Sequence, residues 1–162
     1  MCAGRFRDGG AALYDWAEPE VLVVCPRCAA RAVVRRHAGA ARRLTCPACG
    51  LAREASGSTS SWGEPVDPWF RAPLWLRAEF RGHTVWAFNG EHLRELRDHV
   101  AAGQRERTPT RGAAMSMVEK LPAWLTAAKH REDVLAVLDR LATRLSGDRG
   151  PASGHQASRL TR

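Results

Sequence analysis

Two pairs of cysteines, Cys25-Pro26-Arg27-Cys28 and Cys46-Pro47-Ala48-Cys49, separated by seventeen residues, constrain this chain more than any other feature in it. Each short Cys-x-x-Cys turn wraps backbone around one edge of a metal, and an intervening stretch of about 15 to 20 residues has room to leave as one strand and return as another. A thioredoxin-like redox centre needs a single pair in a βαβ setting, whereas here two matched pairs both carry proline second. The pattern therefore predicts one structural zinc ion held by Cys25, Cys28, Cys46 and Cys49, in preference to redox or iron–sulfur chemistry. Gly50 follows the second pair and is free to take the positive φ that turns amides back toward the sulfurs. Ala29 follows the first pair, so the two knuckles are expected to be unequal.

A ribbon spanning 21–55 is too short to bury a self-sufficient core. Metal must supply its folding free energy, on the order of 10 kcal/mol or more at neutral pH, and the apo ribbon is expected to be unfolded. Thiolates kept for metal imply a reducing compartment, and the start Met1-Cys2-Ala3-Gly4-Arg5-Phe6 has no apolar secretory core, which together give a cytoplasmic expectation. No apolar run approaches the roughly 18 residues needed to span a bilayer, so no membrane partner is expected. Cys2, the remaining thiol, reads as an exposed reduced cysteine on a mobile terminus.

The formal net charge is +8, yet lysine occurs only at Lys120 and Lys129, the bias of a GC-rich coding sequence, so arginine abundance alone says little. Its distribution says more. From Pro26 to Arg53 there are Arg27, Arg31, Arg35, Arg36, Arg42, Arg43 and Arg53 with no Asp or Glu among them. Such a basic island is a candidate phosphate-contacting surface for DNA or RNA, with Arg31, Arg35, Arg36, Arg42 and Arg43 as the anion contacts. The competing readings are a solvated basic face that binds nothing and a surface for acidic proteins.

The expected fold class is α+β: a small β-rich zinc ribbon, then a β-hairpin-plus-helices module, then a disordered C-terminal tail. Residues 1–20 read as an irregular lead-in and 21–55 as the ribbon. Within it, Glu20 to Val24 form a strand, Arg31–Arg36 and Arg42–Thr45 form a hairpin turning at His37 to Ala40, and Leu51 to Ala55 add a further strand. With four cysteines present, His37 is a surface turn residue rather than a ligand. Residues 56–68, serine-rich with two prolines, read as a linker. In 69–145, Leu74, Leu76, Ala78 and Phe80 alternate with polar residues and Trp75, and a second strand runs from Thr84 to Phe88. Closing Arg81-Gly82-His83 as a three-residue loop pairs Ala78 with Trp86 and Leu76 with Phe88. Asn89 then caps a helix carrying Leu93, Leu96 and Val100, which Gly103 ends. Ser116 to Glu119 resembles a capping box, and Pro122 breaks the helical region in two. Val134, Leu135, Leu138, Leu141 and Leu145 make an apolar stripe, either core or the face of a homodimer, with Glu132 and Asp133 near its start and Arg140 and Arg144 near its end. Residues 146–162 lack apolar periodicity and are the expected disordered tail.

Pro73-Leu74-Trp75-Leu76, Trp86-Ala87-Phe88-Asn89, His92-Leu93, Leu121-Pro122-Ala123-Trp124 and Ala128-Lys129-His130-Arg131, together with both cysteine pairs, give the chain over 21–145 a further likeness. It resembles a group of small bacterial zinc-ribbon proteins often labelled transcription-factor-IIB-type zinc ribbon. His130 departs from that group's usual Asn. The resemblance implies the ribbon and no particular activity, and the second module does not resemble the cyclin-like core of a general transcription factor.

His83, Asn89 and His92 match in composition the metal-dependent nucleases of His-Asn-His type. A hairpin-tip histidine and a histidine in a helix's first turn leave almost no room for substrate between them, and no phosphate-binding loop, nucleophile elbow or zincin helix is present. The expectation is a non-enzymatic adaptor or regulator associated with nucleic acid. The alternative is a protein-interaction module, dimeric in one form, with the ribbon as scaffold, and a nuclease is the remote third reading.

Overall fold

The computed structural model of the chain describes residues 5–57, 62–102, 104–106 and 116–147. The fold is α+β. A short strand β1 (Arg5–Arg7) and helix α1 (Leu13–Ala17) precede an antiparallel sheet of β2 (Val21–Val24), β3 (Arg31–Arg36), β4 (Arg42–Thr45) and β5 (Ala52–Ala55), paired in that order. A hairpin of β6 (Leu76–Phe80) and β7 (His83–Ala87) leads into helix α2 (Gly90–Ala101) and strand β8 (Gln104–Glu106), which runs parallel to β1. Helices α3 (Ala123–Thr126) and α4 (Arg131–Gly147) close the described chain. The 1–20 region, expected to be irregular, thus carries a strand and a helix. Cys2, Gly103, residues 58–61 of the expected linker and the tail from 148 onward lie outside the described residues.

Two apolar clusters form the interior, and β2 separates them. Val21 and Val23 point into one cluster with Ala32, Val34, Leu44, Leu74, Phe88, Cys25 and Cys46. Leu22 points into the other, built from β6, β7, α2, α3 and α4 through Leu76, Val85, Leu93, Leu96, Val134 and Leu138 among others. A strand buried on both faces reads as an unbroken apolar run, which is why Val-Leu-Val-Val shows no alternation. Its free edge is paired too: Val24 and Leu22 donate to the carbonyls of Pro73 and Phe88 at 2.8 Å each, and Trp75 donates to Leu22 at 2.9 Å.

Those hydrogen bonds give residues 62–75 a different character from a flexible linker. Leu74 bridges to Val23 and Val66 to Pro73. The fully buried Asp67 accepts backbone N–H groups from Trp69 (3.0 Å), Phe70 (2.8 Å) and Ala72 (2.7 Å), satisfying the turn that brings Leu74 to β2. Burial pushes the Asp67 carboxyl up while the three amides pull it down.

The β6–β7 hairpin departs from its expected register by one residue. Its loop is the two-residue Arg81-Gly82, with φ of 49° and 79°, the pair of left-handed residues that a type I′ turn requires. Leu76 therefore faces Ala87, Ala78 faces Val85 and Phe80 faces His83, and Trp86 falls on the opposite side, across from Arg77. Because side chains alternate, this shift fills the core side with Val85 and Ala87 in place of Trp86 and Phe88. An arginine rarely takes a left-handed φ, and that rarity points the eye to a longer loop.

Asn89 does more than cap α2. Its Oδ1 accepts from the His92 backbone at 2.9 Å, and its Nδ2 donates to the carbonyls of Trp16 (2.6 Å) and Glu20 (2.8 Å), tying α1 and the start of β2 to the helix. Ser116 and Glu119 form the expected reciprocal box, each backbone N–H donating to the other's side chain at 2.9 and 3.3 Å, here opening a single 3-10 turn at Val118–Lys120. The α4 stripe is core: Val134, Val137, Leu138 and Leu141 are buried inside the chain, with Leu135 and Leu145 packed at its margin.

His92, 2% exposed, lies under the stacked Trp16 ring (5.9 Å between centroids), and its Nδ1 accepts the Phe88 backbone N–H at 3.1 Å. Burial pushes this histidine down to about 3. The unfolded chain, with a histidine near 6.5, binds the extra proton first, so stability is lost as pH falls through about 6.5. Between pH 7 and pH 5 the loss from this group amounts to roughly 2 kcal/mol. A His92→Asn variant, less stable at pH 7, is expected to show a flatter dependence of its denaturation midpoint on pH across that window. Thiolates titrate in both proteins, so the difference in slope isolates the histidine.

Candidate metal centre and aromatic groove

The four cysteines come together at the end of the ribbon sheet. Cys25 follows β2 and Cys46 follows β4, both buried, while Cys28 is exposed and Cys49 half-buried. Cys25 Sγ lies 3.7 Å from Cys49 Sγ and Cys28 Sγ lies 3.6 Å from Cys46 Sγ, and all four sulfurs are within 4.8 Å of one another. Metal–sulfur bonds of about 2.3 Å in a tetrahedron put sulfurs about 3.8 Å apart, so the donor set fits one tetrahedral, thiophilic ion. Among the described residues this is the only such group of metal-binding side chains, and His37, exposed in the β3–β4 turn, is not part of it.

The knuckles are built alike, contrary to the inequality expected from Ala29. Cys25 donates to Ala30 and Ala29 to Cys25, at 2.8 and 2.9 Å; Cys46 donates to Leu51 and Gly50 to Cys46, both at 2.9 Å. Ala29 takes φ 61° where Gly50 takes φ 70°. The same turn is thus made twice, once with a residue suited to it and once with a methyl group in a left-handed conformation.

Their charges are interdependent. Burial pushes the Cys25 thiol up, but the amides of Cys28 and Arg27 and the neighbouring sulfurs pull it down further, to about 6. At Cys28 the Ala30 amide favours the thiolate, yet burial and the three other sulfurs prevail and push it up to about 12. Sulfurs this close do not all ionise on their own, and a divalent cation at their centre removes the opposition.

The five arginines singled out by their density do not form one surface. Strand alternation puts Arg36 opposite Arg42 on one face of the sheet and Arg35 opposite Arg43 on the other. Arg42 is 4% exposed; it donates to the Glu18 carbonyl at 3.1 Å and carboxylate at 2.6 Å, with its guanidinium 4.2 Å over the Trp69 ring. Arg36 reaches the other Glu18 oxygen at 2.6 Å, Arg35 reaches Glu20 at 2.6 Å, and Arg43 lies 3.8 Å from Glu54. The half-buried Arg31 donates to the Leu145 carbonyl at 3.5 Å. The Arg36 hydrogen bond and the Arg42 charge outweigh burial and hold the Glu18 carboxyl below its ordinary range. Glu18, Glu20 and Glu54 all lie just outside the acid-free stretch, so they are invisible to a count made within it.

A groove of about 990 Å3 opens on the Arg36 and Arg42 side. Tyr14, Trp62, Trp69, Trp86 and Trp124 line it over an aliphatic floor that includes Leu96 and Leu125. Tyr14 and Trp62 meet edge to face with centroids 6.5 Å apart, Trp62 meets Trp69 at 6.0 Å, and Trp124 carries the His83 imidazole stacked at 4.5 Å. Trp62 and Tyr14, on the expected linker and lead-in, had no periodic pattern to mark them as lining residues.

Comparison with family models, with curated proteins and with solved structures found no match. Among the described residues no helix is long and apolar enough to cross a membrane.

The matched turns give opposite expectations for two substitutions. Gly50→Ala is expected to weaken metal retention by about 1 kcal/mol, roughly fivefold in affinity, through a strained left-handed alanine. Ala29→Gly relieves that strain and is expected to improve retention by up to about 1 kcal/mol, partly offset by the freer unfolded chain. Chelator competition on the two purified variants measures both.

Proposed function

We propose that this chain is a zinc-dependent, non-enzymatic cytoplasmic adaptor, in which the four-cysteine ribbon is a scaffold and the aromatic groove receives a protein partner. The groove carries this reading. Its volume stands at the upper end of ordinary ligand sites, and it gathers Tyr14 and Trp62, the exposed large hydrophobic residues among those described. Aromatic side chains left partly uncovered are the anchors that protein interfaces use.

Zinc is the proposed metal because an all-sulfur, closed tetrahedral set leaves no open coordination position and suits a structural ion. The nuclease reading loses support from the placement of its residues. Asn89 has both ends of its amide committed to backbone, His92 is buried with Nδ1 already accepting, and His83 stacks on Trp124. With Asn89 and His92 committed to backbone partners and only His83 of the three lining the groove, the arrangement offers little support for a joint metal and phosphodiester site.

A second reading, weak nucleic-acid binding through the ribbon, rests on Arg35 and Arg43, which are opposed across β3 and β4 and exposed. Their ion pairs with Glu20 and Glu54 are surface pairs of small worth, which a phosphate can displace. Two contacts give a slope of log affinity against log salt near −2 on duplex DNA.

The purified chain is expected to carry one zinc per molecule, and Cys46→Ser to lose it. Capture from lysate treated with nuclease, using the full chain and its Trp62→Ala and Arg35→Gln/Arg43→Gln variants, separates the two readings. A partner retained by the arginine variant and lost by Trp62→Ala supports the groove. Nuclease-sensitive capture that depends on Arg35 and Arg43 moves the function to nucleic acid.

A further inference from the structure

We infer that the groove selects a peptide segment in which bulky apolar side chains are combined with carboxylates. This rests on the protein-binding reading above and adds the chemistry of the partner. The apolar requirement follows from the walls. Tyr14 is 54% exposed and Trp62 37% exposed, while Leu13, Leu96 and Leu125 lie among the other lining residues. Side chains that cover these rings gain the apolar burial the chain itself leaves incomplete.

The acidic requirement follows from the charges. Among the described lining residues Glu18 is the only acid, against Arg36, Arg42 and Lys120. Both Glu18 oxygens are taken, one by Arg36 and one by Arg42, each at 2.6 Å. A cationic group entering the groove meets, among the described lining residues, no carboxylate free of a partner, whereas a carboxylate meets the exposed Lys120 and Arg36. Complementary charge of this kind sets selectivity more than raw affinity.

The aliphatic floor argues against single-stranded nucleic acid as the occupant. Bases stack readily on tryptophan, but their hydrogen-bonding edges would lie against leucine and methionine, where an unmet polar group is unfavourable.

The test uses the zinc-loaded full chain and calorimetric titration with peptides of equal length and equal leucine and phenylalanine content, their remaining residues being glutamate, glutamine or lysine. The glutamate peptide is expected to bind about tenfold more tightly than the glutamine peptide, and the lysine peptide more weakly than either. Lys120→Glu, a change at an exposed site, is expected to abolish the preference for glutamate over glutamine. Trp62→Ala, checked for unchanged zinc content and helix signal, is expected to weaken binding of every peptide. Equal binding of the glutamate and glutamine peptides, both lost in Trp62→Ala, overturns the acidic requirement and leaves the groove as a protein site. Failure of all the peptides, or oligothymidylate binding that is lost in Trp62→Ala, overturns the protein-binding reading together with this one.

Discussion

Strand β2 is the element on which the rest depends, because its residues belong to every layer at once. One edge pairs with β3, and the other accepts and donates hydrogen bonds with the segment around Pro73 to Trp75 and with Phe88. One face supplies Val21 and Val23 to the ribbon cluster; the other supplies Leu22 to the helical cluster. The strand then ends directly in Cys25, which is itself buried in the ribbon core. A metal that fixes Cys25 therefore fixes the end of the one strand shared by both clusters, so its effect extends beyond the knuckles. The sulfur cluster is best regarded as part of the core of the whole described chain, with Cys25 and Cys46 occupying positions that apolar residues would otherwise fill.

What the sequence made legible was local or directly chemical. Cysteine spacing specifies the donor set because coordination geometry is strict, and the structure brings those four sulfurs together. Strands β3 and β4 have the expected ends because the knuckle and the turn at His37 bound them closely. The Asn89 cap and the Ser116–Glu119 box each involve partners three residues apart, a separation at which side-chain chemistry alone decides the outcome. What stayed hidden depended on distant parts of the chain. The second role of Asn89 needs the carbonyls of Trp16 and Glu20, far away in sequence. The hairpin register turned on Arg81 accepting a positive φ, a local strain tolerated because it puts Val85 and Ala87 inside.

The arginines illustrate a general weakness of charge density as a guide. Seven arginines in an acid-free stretch suggest one basic surface, but a sheet distributes consecutive residues to opposite faces. Arg42 then becomes a buried structural cation, held between Glu18 and Trp69, while Arg35 and Arg43 look outward on the other side. The neutralising acids Glu18 and Glu20 enter from the segment that joins α1 to β2, whose approach to the arginines no local pattern encodes, and Glu54 enters from β5, one residue past the acid-free stretch.

Glu18 links the ribbon to the groove in consequence. By taking up Arg36 and Arg42 together, it fixes two ribbon cations at the groove wall, with a guanidinium on each of its oxygens. Arg42 in turn lies over Trp69, whose ring meets Trp62 edge to face, so the position of the exposed aromatic rings follows from a buried guanidinium held by the half-exposed Glu18. A carboxylate that neutralises a basic ribbon thereby also orients the apolar walls beside it. The sulfurs hold β2 and β4, β4 carries Arg42, and Arg42 holds Trp69; through that sequence of contacts a cluster of four cysteines that can hold a metal shapes a surface that it does not touch.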